Sequence, residues 1–101
     1  MATFILIHGA FHGGWCWDLV KPILEKYGHN VYSPDLPSHG GDLSVTEEVT
    51  LSDYVNKIGK LIKQINEPVI LVGHSLGGIT ITQTGENFTK HISGLIYLAA
   101  A

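Results

Sequence analysis

Ser75 lies between two glycines in the segment GHSLG (73–77), directly after the apolar run VILV (69–72). A serine in this G-x-S-x-G pattern, where a strand turns sharply into a helix, can act as the nucleophile of acyl transfer. The turn brings the strand and the helix so close that side chains at Gly73 and Gly77 would clash, which is why glycine suits both positions. The pattern therefore predicts Ser75 as a nucleophile at the carboxyl end of a strand.

A purely structural role for this segment is the alternative. A glycine-rich turn can simply pack a strand against the helix that follows it, with no chemistry at the serine. Two features favour the catalytic interpretation. One is the apolar strand before Ser75, and the other is a second motif, HGAFHGGWCW (8–17), at the end of another apolar run.

Four segments have the composition of short strands. The first and third are continuous apolar runs, which are typical of parallel strands buried on both faces. Turn-forming residues follow the second, as expected of a strand that leads into a loop. The segments are TFILIH (3–8), NVYSP (30–34), PVILVG (68–73) and GLIYLAA (94–100).

Apolar residues at helical spacing lie between these strands. The stripe over residues 51–65 is the strongest of them. A second stripe, over residues 15–27, is followed by Gly28 where a C-terminal cap would lie. Pro22 restricts where that second helix can begin, because proline is well tolerated only in the first turn.

Residues 76–87 combine two conflicting signals. The segment ITITQT (79–84) is rich in β-branched residues, which helices accommodate poorly. However, the link between two parallel neighbouring strands needs a crossover of a dozen or more residues, which is usually a helix. We therefore predict a helix over residues 76–87.

Right-handed crossovers, with a reversal of direction after the second strand, place the strands in the order 2-1-3-4. We expect an α/β fold, with a mostly parallel sheet of about four strands and flanking helices. The loops that begin at His8 and Gly73 then meet at the carboxyl edge of the sheet. An oxyanion formed by attack of Ser75 would find the N–H of Leu76 there, and a second donor in the backbone of residues 9–11.

Three segments carry a family resemblance. They resemble the first half of an α/β-hydrolase, and are most similar to the branch that contains plant methyl esterases and hydroxynitrile lyases. Many hydrolases share the serine pentapeptide, whereas the motif HGA-x-HGGW-x-W is considerably more specific. The segments are LIHGAFHGGWCW (6–17), VYSPDLPSHGGD (31–42) and VILVGHSLGG (69–78).

The resemblance implies roles for individual residues. Ser75 is the nucleophile, the backbone N–H groups of Ala10 and Leu76 form the oxyanion hole, and carboxylic esters are the small-molecule substrates. No metal or other cofactor is expected. The resemblance also implies that residues 1–101 form a single partial α/β-hydrolase domain, without the cap and the C-terminal strands.

The residue at position 9 indicates which of the two activities of this branch to expect. Hydroxynitrile lyases of this type have a threonine immediately after the first histidine of the motif, and its hydroxyl contacts the cyanohydrin. This sequence has Gly9 at that position. Ester hydrolysis is therefore favoured over cyanohydrin cleavage.

A base for Ser75 is not evident in the chain. In α/β-hydrolases the acid and the histidine follow the nucleophile, on loops after later strands. After Ser75 the sequence has one acid, Glu86, and one histidine, His91. Glu86 lies roughly 16 Å along the predicted helix, and both residues belong at the opposite end of the sheet. Since a serine without a base is an ordinary alcohol, we expect the 101-residue chain alone to be inactive.

Structural roles are favoured for the other candidate side chains. Asp35 and Asp42 are expected in turns, because the family places the acid of the triad after the nucleophile. Among the histidines, His12 and His39 have the best access to the site, but a structural role is favoured for them too. The same holds for His8, His29 and His74, and Trp15 and Trp17 are expected to anchor the core and the loop.

Composition excludes several classes of partner. The formal net charge is −3, and the six Lys and Arg residues form no cluster that would bind nucleic acid or an anionic membrane. Cys16 is the only cysteine, so neither an internal disulfide nor a cysteine-based zinc site is expected, which fits the cytoplasm. No apolar run approaches the roughly 20 residues of a transmembrane helix.

Three hypotheses of function remain open. The first is that the chain is the N-terminal portion of a serine esterase. The second is that the parent protein uses the same pocket to bind a small hydrophobic acid or hormone, with slow or absent hydrolysis. The third is a natural short chain that acts as an interaction module. Its strand 94–100 would be an exposed apolar edge, so we expect self-association through that edge.

Overall fold

Four parallel strands form one sheet in the computed structural model, which describes residues 2–9, 13–36, 51–75 and 77–98. The spatial order is β2-β1-β3-β4, and each neighbouring pair is parallel. This confirms the predicted order 2-1-3-4 and the α/β class. The strands are β1 (Thr3–Ile7), β2 (Asn30–Tyr32), β3 (Val69–His74) and β4 (Ile92–Leu98).

Three α-helices lie between these strands in the described part of the chain. They are α1 (Lys21–Lys26), α2 (Leu51–Ile65) and α3 (Gly77–Asn87). Short 3₁₀ helices at Gly14–Trp17 and Thr89–His91 precede α1 and β4. None of the helices in the described residues is long and apolar enough to cross a membrane.

The helix predicted over residues 15–27 is wrong in its extent. A 3₁₀ helix and a turn occupy its first half, and α1 begins only at Lys21. Pro22 accounts for this start, because it lacks an N–H and fits only the first helical turn. Gly28, with φ of 88°, follows the helix as predicted and takes the left-handed conformation of a C-terminal cap.

The strand boundaries differ slightly from the predicted ones. β2 ends at Tyr32, two residues before the end of the predicted segment 30–34. β4 begins at Ile92, where it pairs with Val69, so the predicted strand 94–100 begins two residues too late. Residues 99 and 100 lie outside the described part of the chain.

The helix α3 forms although its sequence is rich in β-branched residues. Two of its threonines donate hydrogen bonds to the carbonyl four residues earlier, Thr82 to Gly78 at 2.9 Å and Thr84 to Thr80 at 2.8 Å. These bonds satisfy the hydroxyl groups within the helix. The need for a crossover between β3 and β4 therefore outweighs the local propensity, as predicted.

Two clusters of apolar side chains cover the two faces of the sheet. Alternation along β1 separates them, since Ile5 and Ile7 belong to one cluster and Leu6 to the other. The helices α2 and α3 supply Ile58, Ile62 and Ile81 to the first cluster. The first cluster is Ile5, Ile7, Leu36, Ile58, Ile62, Val69, Leu71 and Ile81, and the second is Leu6, Trp17, Val31 and Val72.

Candidate active site

Ser75 occupies the turn between β3 and α3 in a conformation that serine rarely adopts. Its φ is 56°, in the left-handed region where a Cβ is disfavoured. The Ser75 carbonyl accepts a hydrogen bond from the N–H of Gly78 at 3.0 Å, which closes the turn into the helix. Strain of this kind persists only where the surrounding structure holds it in place, and it clusters at functional sites.

Glycines on both sides of Ser75 are needed for contact between backbones. A Cβ at Gly73 would lie 2.7 Å from the carbonyl oxygen of Gly77. A Cβ at Gly77 would lie 2.7 Å from the carbonyl oxygen of Ile7 and 3.0 Å from that of His8. The first turn of α3 therefore packs directly on the carboxyl end of β1 as well as on β3.

The carboxyl ends of three strands meet around Ser75. In the sheet, Gly73 lies opposite Ile7 of β1, and His74 lies opposite Leu98 of β4. The N–H of Ser75 donates to the carbonyl of Leu98 at 3.1 Å. Ser75 is thus at the edge of a parallel sheet where ligands of α/β proteins bind.

His8 is fully buried at the start of the loop that follows β1. Its Nδ1 lies 2.7 Å from the carbonyl oxygen of Gly9, and its Nε2 lies 2.9 Å from the backbone nitrogen of Leu36. A carbonyl can only accept and a backbone N–H can only donate, so Nδ1 carries the proton and Nε2 accepts. This neutral tautomer fits the structural role that was predicted for His8.

Asp35 links the loop after β2 to the same region. One of its carboxylate oxygens accepts a hydrogen bond from the N–H of Gly14 at 2.7 Å. Gly14 is the first residue of the 3₁₀ helix that precedes α1. Sequence reasoning expected Asp35 in a turn and missed this contact, which joins residues 21 positions apart and leaves no local pattern.

Trp17 is buried, whereas Trp15 is mostly exposed. The Trp17 ring meets the ring of His74 edge to face, with 6.2 Å between the centroids. Within the described residues, the Trp17 Nε1–H is buried without a hydrogen-bond partner. Trp17 thus serves as a core anchor, as predicted, and it supports the residue next to Ser75.

Glu86 and His91 lie far from Ser75. Glu86 is near the C-terminal end of α3, and His91 immediately precedes β4 at the amino edge of the sheet. Among the described residues, no group of three or more His, Cys, Asp or Glu side chains could hold a metal ion. The predictions for Ala10, Leu76, His12, His39 and Asp42 lie outside the described residues.

The chain matches known proteins over almost its whole length. The model of the alpha/beta hydrolase family matches residues 4–101. Salicylic acid-binding protein 2 of Nicotiana tabacum is 45% identical over 100 residues, which are 96% of this chain and 38% of that protein. Methylesterase 1 of Arabidopsis thaliana is 42% identical over 101 residues, again 96% of this chain and 38% of that protein.

The fold comparison leads to the same group of proteins. The crystal structure of polyneuridine aldehyde esterase superposes with a TM-score of 0.92 at 33% identity, over 99% of this chain and 40% of that one. The chain therefore spans less than half the length of the relatives it matches. These matches confirm the resemblance that the motifs predicted, including the methyl esterase branch.

Proposed function

Because the chain belongs to the alpha/beta hydrolase family, we propose that it is the N-terminal portion of a serine hydrolase that acts on carboxylic esters. The observation that carries the proposal is the left-handed conformation of Ser75 at the junction of β3 and α3. Glycines 73 and 77 allow the backbones around Ser75 to pack closely, and the carboxyl ends of β1 and β4 adjoin it. Relatives named as methylesterases support the substrate class.

In the proposed reaction, the Ser75 oxygen attacks the ester carbonyl as a base removes its proton. The tetrahedral oxyanion accepts hydrogen bonds from the N–H groups of Leu76, which follows Ser75 in the sequence, and of Ala10, which follows Gly9. Collapse of the intermediate releases the alcohol and leaves an acyl group on Ser75. Water then attacks this acyl-enzyme and releases the carboxylic acid.

We infer that the base comes from a part of the hydrolase beyond residues 1–101. Glu86 and His91, the candidates after Ser75, lie towards the amino edge of the sheet. A serine hydroxyl is a weak nucleophile at neutral pH without an adjacent base. We therefore propose that residues 1–101 alone are inactive, and that the rest of the hydrolase supplies the acid and the histidine.

The test uses the whole hydrolase and short-chain aryl esters. We expect Ser75→Ala to reduce kcat by at least about 10³-fold, because the hydrolase would lose its nucleophile. Ser93→Ala is the matched control, since Ser93 is in β4 at the opposite edge of the sheet and bonds only weakly, at 3.2 Å, to the carbonyl of Val69. Equal turnover by the wild type and Ser75→Ala would remove Ser75 from catalysis.

A binding protein on the same fold is the second candidate function. It is favoured by one finding, the similarity to a relative named salicylic acid-binding protein 2. In that case the whole protein would bind an aromatic carboxylic acid such as salicylic acid, and Ser75→Ala would retain the affinity. Titration of the wild type and of Ser75→Ala with salicylate separates the two candidate functions. A hydrolase of unrelated esters would show no saturable binding of salicylate.

Cyanohydrin cleavage remains disfavoured. The hydroxyl that hydroxynitrile lyases of this branch place after the first histidine is absent, because Gly9 occupies that position and is buried. Assay of mandelonitrile with the whole protein tests this directly. Release of cyanide at a rate comparable to ester hydrolysis would reverse the preference.

A further inference from the structure

We propose that Asp35 is a positioning residue for ester hydrolysis, which acts with His8 to hold the described residues at the two ends of the loop of residues 9–13. The proposal rests on the proposed function and deepens it. Its basis is that one short segment, residues 33–36 after β2, bonds to His8, just before that loop, and to Gly14, just after it. The loop follows β1 and contains the predicted oxyanion donor.

The first end of the loop is held through His8. Its Nε2 accepts the N–H of Leu36, and its Nδ1–H donates to the carbonyl of Gly9. The atoms of a trans peptide lie in one plane, so a bond at the Gly9 oxygen restrains the whole peptide that follows Gly9. That peptide carries the N–H predicted to stabilise the oxyanion.

The second end of the loop is held through Asp35. Its carboxylate accepts the N–H of Gly14 at 2.7 Å, the length of a charge-assisted hydrogen bond. Gly13, the residue that caps this 3₁₀ helix, makes no side-chain hydrogen bond to it. Asp35 therefore supplies, from another segment, an acceptor for one of the N–H groups that the start of a helix leaves without an intrahelical partner.

Direct packing supports the same contact. A Cβ added at Gly14 would overlap the carbonyl oxygen of Ser33, so only glycine lets the two backbones approach this closely. The Gly14 backbone thus lies against the segment 33–36 as well as bonding to Asp35. The residues on both sides of the loop therefore contact one and the same segment, 33–36.

The position of the loop matters because stabilisation of an oxyanion depends on geometry. Donors must lie about 2.7–3.1 Å from the oxygen of the tetrahedral intermediate, and loss of one donor costs about 10²–10³-fold in kcat. A misplacement of about 1 Å caused by a residue away from the chemistry can cost about 10²-fold. Release of one end of the loop should therefore lower kcat and leave ground-state binding largely intact.

The experiment compares variants of the whole hydrolase with an aryl ester and with an aryl trifluoromethyl ketone. The oxygen of the nucleophilic serine adds to the ketone carbonyl, and the former carbonyl oxygen then occupies the oxyanion position. For Asp35→Ala we expect kcat to fall by about 10–100-fold with KM changed by less than about 3-fold. The ketone inhibition constant should rise by the same factor as kcat falls.

Asp35→Asn supplies the conservative comparison, because asparagine keeps an acceptor oxygen without the charge. Since a charge-assisted bond is about twice as strong as a neutral one, we expect about a 3-fold loss in kcat and in ketone affinity. If Asp35→Ala does not fold, this variant decides the case. Wild-type values of both quantities for Asp35→Asn would then overturn the proposal.

Asp18→Ala is the matched control, since Asp18 is an exposed aspartate of the neighbouring turn. We expect wild-type kcat and ketone affinity for it, and losses equal to those of Asp35→Ala would contradict the proposal. Ser75→Ala distinguishes this failure from failure of the proposed function. If Ser75→Ala abolishes turnover while folded Asp35→Ala retains it, only the positioning role is wrong.

Discussion

The Cβ position of Gly77 lies 2.7 Å from the carbonyl oxygen of Ile7, so the first turn of α3 rests on the end of β1. This contact joins two residues that are 70 positions apart in the chain, the last of β1 and the first of α3. It places the start of the loop after β1 beside the turn that carries Ser75. The site therefore depends on a backbone contact that any side chain at Gly77 would disrupt.

We expect Gly77→Ala to lower the free energy of unfolding by about 1–3 kcal/mol, the usual cost of overpacking. Both nearest atoms are backbone carbonyls, which cannot move away as the end of a side chain can. Gly94→Ala is the control, because a Cβ there meets Ile70 only at 3.8 Å. Chemical denaturation measures the free energy of unfolding of both variants, and equal values for the two would contradict the packing argument.

Strain at Ser75 leads to a second prediction. Its φ of 56° disfavours every residue with a Cβ, by about 1–2 kcal/mol relative to glycine. We therefore expect Ser75→Gly to unfold with a free energy about 1 kcal/mol higher than Ser75→Ala, although neither variant has a nucleophile.

The control for this prediction is the same pair of substitutions at Ser93. Ser93 lies in the extended strand β4, where glycine is less stable than alanine by about 0.5–1 kcal/mol. Glycine should therefore be the more stable of the two variants at position 75, and alanine the more stable at position 93. The same order at both would show that the conformation of Ser75 stores no strain.

The global arrangement of the fold was predictable because few topologies satisfy its constraints. Buried parallel strands require right-handed crossovers, and this rule predicted both the strand order and the helix over the threonine-rich segment that became α3. Local propensity alone would have placed a strand there. The prediction over residues 15–27 failed because apolar spacing does not distinguish one helix from a 3₁₀ turn followed by a short helix.

The site was predictable only in part. Gly73, Ser75 and Gly77 form a local pattern whose spacing reflects the geometry of one turn. The contacts of Asp35 and His8 join side chains to the backbone 21 and 28 positions away, and no spacing in the sequence indicates them. The roles of Ala10 and Leu76 stay predictions, because both residues lie outside the described part of the chain.

Cys16 gives a prediction about pH. Burial, with a smaller effect of the nearby Asp18, raises the pKa of the Cys16 thiol. Because the thiolate is the nucleophile, we expect Cys16 to react with iodoacetamide at pH 8 more slowly than in the urea-unfolded chain. The difference should narrow as the pH rises through the raised pKa of the folded state.

The stability linked to this thiol has a defined sign. The folded state binds the thiol proton more tightly than the unfolded state does. The contribution of Cys16 to the free energy of unfolding is therefore fully present below the pKa of the thiol in the unfolded chain. It is lost as the pH rises through the pKa of the thiol in the folded protein. We expect Asp18→Asn to lower the pKa of the Cys16 thiol, because it removes one of the causes that raise it. Labelling of the folded protein that is as fast as in urea at pH 8 would contradict the prediction.

The edge strand β4 supports the expectation of self-association. In the described sheet it pairs only with β3, and its apolar side chains are 38–47% exposed from Leu95 to Leu98. An exposed apolar strand with unpaired backbone groups is a template for pairing with another chain. We therefore propose that residues 1–101, prepared alone, associate through β4, and sedimentation at micromolar concentration should detect dimers or larger species.

A charged substitution on β4 distinguishes association by strand pairing from nonspecific hydrophobic association. Ile96 is 41% exposed on β4, and we expect Ile96→Lys to shift the population towards monomer, because lysine on an edge strand opposes pairing. Ile23→Lys is the matched control. Ile23 is 57% exposed but lies on α1, where no strand edge is available. A wild-type chain that sediments as a monomer, or equal effects of the two lysines, would exclude β4 as the surface of association.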